Sequence, residues 1–335
     1  MKERGPVYNE PMTTVRVCDE ASRWDEEVLI RGGHPLQLWG WGEVKAAHGW
    51  QATRLMVYEN DRLIGAGQVL LKKLPLLFNY VAYIPRGPVG ESEKRDTVLN
   101  ALAEYVKTTF HAVAVTVEPD WEGEWHLQGW QRSNNTILIP RTLILDLNKS
   151  EADLQAAMSK KTRQYIRKSA GDTVVRRVTE RGGLTECLEI YKQTAKRAGF
   201  ALHDDQYYYD VFEKLGQHSP VFAAFHSEKV VAFLWLAISS ETAFELYGGM
   251  NDRGQATRAN YALKWHAITT MKKWGVQRYD FNGLLGDGVS TFKQGFAEHE
   301  TMLVGTYDRP LSPLYGVWRY GLPLGKKFVR FITNR

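Results

Sequence analysis

The stretch Leu99-Asn100-Ala101-Leu102-Ala103-Glu104-Tyr105-Val106-Lys107-Thr108-Thr109-Phe110 decides the fold. Its pattern returns 164 residues later as Leu263-Lys264-Trp265-His266-Ala267-Ile268-Thr269-Thr270-Met271-Lys272-Lys273-Trp274. Leu99, Ala103, Val106 and Phe110 recur at i, i+4, i+7 and i+11, and Leu263, Ala267, Thr270 and Trp274 do the same. At about 3.6 residues per turn this spacing keeps all four side chains on one side, so each stretch is predicted to be a helix with one packing face.

The repetition extends to both sides of the helices. Downstream, His111 to Val117 and Gly275 to Phe281 lie at the same offset, and each reads as a strand entered directly from its helix. Upstream, Leu55 to Tyr58, the polar Glu59-Asn60-Asp61 and Arg62 to Leu71 read as a hairpin. Val221 to Phe225, His226-Ser227-Glu228 and Lys229 to Ile238 repeat it at an offset of 167. Ordered elements at a nearly constant offset mark a duplication. The expected fold class is α/β, two tandem units of mixed sheet flanked by helices.

Length and composition agree. A chain of 335 residues fits about two domains of ordinary size, and 44% hydrophobic residues with 11 tryptophans give each half enough to bury a core. No apolar run reaches the roughly 18 residues of a membrane span, and Met1-Lys2-Glu3-Arg4-Gly5-Pro6 offers no signal-peptide core, so a cytoplasmic location is expected. Cys18 and Cys187 sit in different halves without a C-x-x-C partner, which argues against a disulfide framework or a thiolate metal site.

The net charge of +5 is unevenly placed. Lys160, Lys161, Arg163, Arg167 and Lys168 share one arc of a helical wheel, with Met158, Tyr165 and Ile166 on the opposite one. Such a helix packs by one side and offers cations on the other. The face is either simply solvated or meets phosphate from RNA, a nucleotide or a lipid headgroup.

Familiar catalytic motifs are missing: the sequence holds no G-x-S-x-G, no Walker loop and no G-x-G-x-x-G after a strand. His203-Asp204-Asp205 reads as a polar loop, since consecutive residues rarely converge on one ion, and no metal site is expected. The strand-helix order suggests a GNAT-like N-acyltransferase unit, in which a Q/R-x-x-G-x-G/A loop cradles the coenzyme A diphosphate on free backbone N–H groups. Asn251-Asp252-Arg253-Gly254-Gln255-Ala256 keeps the small residues but places an acid where the diphosphate would sit. In Pro85-Arg86-Gly87-Pro88-Val89-Gly90 the prolines remove donors. Both units keep the scaffold without the coenzyme site, and no cofactor is expected.

Several segments, in this order, resemble the FemABX aminoacyltransferases, which pair two acyltransferase-like units. They are Trp39-Gly40-Trp41-Gly42-Glu43-Val44-Lys45 with Gly49-Trp50, Pro85-Arg86-Gly87-Pro88-Val89, Val117-Glu118-Pro119 and the basic Ser159 to Lys168. Gly199-Phe200 through Tyr207-Tyr208-Tyr209, Tyr247-Gly248-Gly249, Tyr279-Asp280-Phe281-Asn282-Gly283 and Phe292-Lys293-Gln294-Gly295-Phe296 continue the series. The resemblance covers most of the chain. It implies transfer of an amino acid from aminoacyl-tRNA to the side-chain amine of the third stem-peptide residue of a peptidoglycan precursor, either UDP-MurNAc-pentapeptide or lipid II. Lys45, Tyr208, Tyr247 and Phe292 fall at precursor-binding positions, with the Tyr208 register open by one residue. Lys293 falls at the position facing the reaction centre, and Glu118 where relatives carry an acid. A threonine and an arginine found in some relatives near Ala201 to Asp204 are absent. Leu184 to Gly199 leaves no room for a helical-hairpin arm, which marks the short, FemX-like type.

On this reading Lys160, Lys161, Arg163, Arg167 and Lys168 meet tRNA, Lys293 steadies the oxyanion, and Glu118 is the base or positions the amine. Asp280 and the Trp39-x-Trp41 pair read as structural. The chain is expected to act as a monomer. Residues 1–147 with 309–335 form the precursor-binding unit and 148–308 the tRNA-side unit. The tail Lys326-Lys327-Phe328-Val329-Arg330-Phe331 either touches the inner face of an anionic membrane or packs on the first unit. An acyl-coenzyme A N-acyltransferase and a non-catalytic RNA or muropeptide binder are the alternatives.

Overall fold

A computed structural model describes residues 12–75 and 78–321. The first part of the chain runs β1 (Thr13–Val17), α1 (Ala21–Ile30), α2 (Trp39–Ala47), β2 (Gln51–Glu59), β3 (Arg62–Lys73), β4 (Tyr80–Pro85), β5 (Val89–Gly90), α3 (Arg95–Phe110) and β6 (Ala114–Glu118). Short strands β7 (Gln131–Arg132), β8 (Arg141–Thr142) and β9 (Ile144–Asp146) lead on to α4 (Glu151–Ala156) and α5 (Lys160–Ala170). The second part runs β10 (Val174–Val178), α6 (Arg181–Ala198), α7 (Asp205–Leu215), β11 (Val221–His226), β12 (Lys229–Ile238) and β13 (Thr242–Met250). It continues with α8 (Asp252–Thr257), α9 (Ala259–Lys273), β14 (Arg278–Asp280), α10 (Gly288–Gln294), β15 (Thr301–Met302) and β16 (Tyr307–Pro310).

The duplication is visible in the strand pairing. One sheet has the order β1-β2-β3-β4-β6-β16-β7 and the other β10-β11-β12-β13-β14-β9. Each has three antiparallel pairs, then a parallel pair (β4 with β6, β13 with β14) spanned by a helix, then an antiparallel strand. Those last strands are exchanged. β9, from the stretch between the units, closes the second sheet, while β16, from beyond the second unit, extends the first and carries the short β7 on its outer edge. The second sheet therefore begins before Asn148, where the sequence places the boundary.

Each helix of the repeat buries one face. In α3, Val98, Leu99, Leu102, Ala103 and Val106 are buried against β2, β3 and β6; in α9, Ala259, Leu263, Ala267, Ile268 and Met271 are buried. The predicted stripe overruns at Trp274, which is 44% exposed because α9 ends one residue earlier.

Gly40 of Trp39-Gly40-Trp41-Gly42 lies where the two units meet. A Cβ on Gly40 would lie 2.3 Å from the Lys214 carbonyl at the end of α7, so only glycine lets α2 lie against the second unit. Trp41 is buried there, while Trp39 stacks on the Arg54 guanidinium at 3.7 Å. Arg278 of β14 pairs with Asp120 across the same interface at 2.6 Å.

Downstream of β16, Tyr315 is buried with Val113 and Ala114 while Leu314 and Trp318 pack alongside, so the chain to this point lies on the first unit. The basic segment from Lys326 to Phe331 falls outside the described residues. No helix among the described residues is long and apolar enough to cross a membrane.

Candidate functional site

The main cleft, about 880 Å³, opens in the second unit where β13 parts from β14. Its floor is the turn Asn282-Gly283, with φ of 54° and 66°. Asparagine and glycine are the residues that enter this left-handed region at least cost. Three contacts hold the turn: Asn282 N–H donates to Asp280 Oδ1 at 2.8 Å, the Asn282 amide donates to the Glu245 carbonyl at 2.8 Å, and Lys293 Nζ donates to the Asn282 and Gly283 carbonyls at 2.6 and 3.0 Å. Asp280 also accepts from Thr142 Oγ1 at 2.6 Å and so has a structural role.

Lys293 sits on α10, whose start is capped by Asp287 accepting from Ser290 N–H. An ammonium has three donors. Two hold the turn, which leaves one for a guest in the cleft that Lys293 lines. Burial lowers its pKa, and Glu245, Asp280 and Asp287 oppose that shift.

Next to it lies a buried ion pair that sequence reading missed. Lys264 of α9 donates to Glu245 Oε1 of β13, which also accepts from the Tyr279 hydroxyl at 2.9 Å. Both donors fall on Oε1, leaving Oε2 unclaimed among the described residues, and Glu245 lines the cleft. Burial brings the Lys264 ammonium down to about 8, with Glu245 holding it up and Lys293 pushing it down further. The available signals were a lysine inside the apolar run Ala262-Leu263-Lys264-Trp265 and an acid between Phe244 and Leu246 in a strand.

The expected site residues divide. Tyr247, Phe292 and Lys293 line the cleft together. Phe292 packs edge-on against Tyr261 and Phe296, with centroids 4.9 and 5.3 Å away. Tyr208 does not reach the opening; it is 3% exposed and packs behind Tyr191 and Tyr247. The Tyr208 hydroxyl accepts from His203 N–H at 3.2 Å, and it is the neighbouring Tyr207 that accepts from Lys45 Nζ at 2.8 Å and lies 3.5 Å from the Tyr247 hydroxyl. Lys45, between the Trp41 and Tyr207 rings, thus links α2 to α7 and touches the cleft only through these tyrosines.

Glu118 corrects the expectation of a catalytic base. It is fully buried and lies outside the cleft wall. Oε1 accepts from Ile137 N–H, Leu138 N–H and Thr306 Oγ1, and Oε2 accepts from Leu138 N–H and the Tyr83 hydroxyl. A carboxylate with four donors on it is a fastener: it holds the segment that carries Ile139 to the cleft, where Ile139 packs at Gly283. Glu118→Gln turns one acceptor into a donor facing donors, and is expected to cost about 1–3 kcal/mol of stability, measured by urea unfolding. A variant as stable as the parent but without activity would return Glu118 to the chemistry.

On α5, Lys160, Lys161, Arg167 and Lys168 are exposed. Arg163 is not part of that free face, because it donates to the Gln155, Ala156 and Met158 carbonyls at the end of α4. His203, Asp204 and Asp205 are each engaged: the first stacks on Tyr207 at 3.9 Å, the second caps α7, and the third pairs with Lys192 at 2.9 Å.

In the loop before α9 the Gly254 N–H is already engaged within the chain. Asn251 Oδ1 accepts from Gly254 N–H at 2.9 Å, and a Cβ on Gly254 would lie 2.3 Å from the Val231 carbonyl. Gly254 thus serves helix-strand packing, in a scaffold otherwise built like an acyltransferase.

A sequence profile of the FemAB family matches residues 30–134, 122–226 and 221–320. The chain belongs to the FemAB family. Among similar sequences, the lipid II:glycine glycyltransferase of Staphylococcus epidermidis is 29% identical over 203 residues, covering 55% of this chain and 48% of the relative. This FemAB chain therefore spans about half the length of the curated relatives it matches. A crystal structure of FemX superposes with a TM-score of 0.81 at 19% identity, over 91% of this chain and 99% of that one. A tandem GNAT protein from the clavulanic acid biosynthesis pathway superposes at 0.52 and 11% identity, over 90% and 99%. Both share the two-unit fold with the FemAB chain. Its α6 runs unbroken for 18 residues through the place where a helical-hairpin arm would insert, as expected of the short type.

Proposed function

We propose that this FemAB chain is a tRNA-dependent aminoacyltransferase that transfers an amino acid to the side-chain amine of the third stem residue of UDP-MurNAc-pentapeptide or lipid II. The observation that carries the reading is the pairing, in one cleft, of a lysine with a spare donor and a carboxylate with a spare oxygen. The S. epidermidis relative is named for transfer of glycine to lipid II, which supports the precursor.

Aminoacyl-tRNA is an activated ester, so the reaction needs three things: a held acceptor amine, a proton acceptor and a stabilised oxyanion. The amine nitrogen attacks the ester carbonyl, forming the C–N bond, while its proton passes to Glu245 Oε2. The Lys293 N–H that the turn leaves unused meets the developing oxyanion. The intermediate collapses as the C–O bond to the tRNA ribose breaks, and the ribose oxygen takes up a proton. Tyr247 and Phe292 supply aromatic walls for the precursor. Action on a lipid-linked precursor would place the protein at the inner face of the membrane.

A donor-choice assay tests the reading. Label should pass to the muropeptide from aminoacyl-tRNA and not from an acyl-coenzyme A; transfer from the thioester alone would favour the N-acyltransferase reading, and transfer from neither a binding protein. The exposed α5 face supplies a second test. Replacing Lys160, Arg167 and Lys168 by alanine should weaken tRNA binding and reduce its salt slope by about 2–3 units, with precursor affinity unchanged. Equal loss for both substrates would assign this face to the precursor diphosphate.

A further inference from the structure

A second cavity, about 200 Å³, lies between the units, walled by Gly32, His34, Arg86, Arg95 and Asp120 of the first and Arg278 of the second. Arg86 is 2% exposed, yet its guanidinium makes no hydrogen bond to any described residue, and Nε and Nη2 are buried without partners. Buried arginines are ordinarily paired, because an uncompensated charge out of water is costly. The nearby acids make no hydrogen bond to Arg86: Asp120 is committed to Arg278, Glu91 on the cavity wall pairs with Arg62, and Asp280 gives Oδ1 to Thr142 and Asn282.

His34 lines the same cavity. It is also 2% exposed, and its ring packs edge-on against Phe244 at 4.7 Å; the Arg86 guanidinium lies 6.0 Å from that ring. Burial lowers the His34 pKa to about 3, so the ring is neutral at neutral pH. Its Nδ1 accepts from Leu36 N–H, so the proton is on Nε2, which has no partner. Asp280 Oδ2, off the cavity wall but close enough for the Arg86 charge to act on it, is a buried acceptor that also has no partner among the described residues. Water would accept from two of the unpartnered donors and add two donors of its own, whereas an oxyanion adds acceptors only. Arg86 holds its place in the left-handed region, φ 53°, with its N–H on the Glu118 carbonyl at 2.9 Å. For a non-glycine residue this is an uncommon and costly conformation.

We propose that this inter-unit cavity is a binding site for a small free oxyanion of the phosphate or carboxylate class, with Arg86 as its principal ligand. A cavity of about 200 Å³ has ample room for such an ion. The site is separate from the cleft that holds Lys293, and it stands or falls independently of what that cleft transfers.

Two measurements on the full chain decide it. Crystals grown without oxyanions and soaked in selenate should show anomalous selenium density within hydrogen-bond reach of Arg86. Ordered waters joining Arg86 to Asp280, with no selenium there, would overturn the proposal. In solution, inorganic phosphate at about a hundredfold over its Kd should raise Tm by roughly 3 °C or more, and acetate run in parallel separates a carboxylate preference from a phosphate one. Arg86→Met should abolish this response. Lys293→Met should keep the response. A phosphate response that survives Arg86→Met would place the anion elsewhere. Should that variant fail to fold, the selenate soak of the unaltered protein still decides.

Discussion

Lys293→Met is expected to lower transfer about a hundredfold or more while the protein stays folded. Methionine keeps an apolar stem of similar length but loses the charge and the donor left over from the Asn282-Gly283 turn. The turn carbonyls lose their partner too, so a modest drop in Tm accompanies the loss. The effect belongs in kcat with both substrates saturating; a rise in KM alone would make Lys293 a binding residue. The pH profile gives the same test another form. The active ammonium is lost as pH rises through its pKa, and burial lowers that pKa, so the alkaline fall in rate should begin below the usual lysine range. Near-normal turnover in Lys293→Met would move the reaction centre elsewhere, first to Lys45 and the tyrosine-rich α7.

Glu245→Gln is expected to cost on the order of a hundredfold to ten-thousandfold in kcat, because the amide accepts no proton at neutral pH. The substitution also strands Lys264, and removing one partner of a buried pair costs about 3–5 kcal/mol. Since Glu245 is what holds the Lys264 pKa up, that group should lose its proton instead and soften the penalty. The double variant Glu245→Gln/Lys264→Met separates the two effects: it should recover stability without recovering transfer. Recovery of both would mean that Glu245 only neutralises Lys264 and that the proton leaves by another route.

What the sequence shows of this fold is its local part. Hairpins with polar turns at Glu59-Asn60-Asp61 and His226-Ser227-Glu228 carry their register in a few residues, and the structure has them as β2 with β3 and β11 with β12. The exchange of β9 and β16 is silent in the sequence, because strands of three and four residues have no periodicity and their partners lie far away in the chain. The cleft was legible where the chemistry stands in one segment, as at Phe292-Lys293. It was not legible at Glu245 and Lys264, each an oddity alone and a site only when β13 lies beside α9. Glu118 misled for the converse reason: a carboxylate at a strand end looks the same in sequence whether it faces a cleft or fastens Ile137 and Leu138. A helical wheel likewise counts Arg163 among free cations, blind to the α4 carbonyls beside it.

The most direct measurement is tandem mass spectrometry of the muropeptide after incubation of the purified chain with mixed aminoacyl-tRNAs and either UDP-MurNAc-pentapeptide or lipid II. The account predicts a product heavier by one amino-acid residue, with the fragments placing it on the side-chain amine of the third stem residue. An unmodified muropeptide with every donor and both precursors, or an added residue on any other amine, would contradict it.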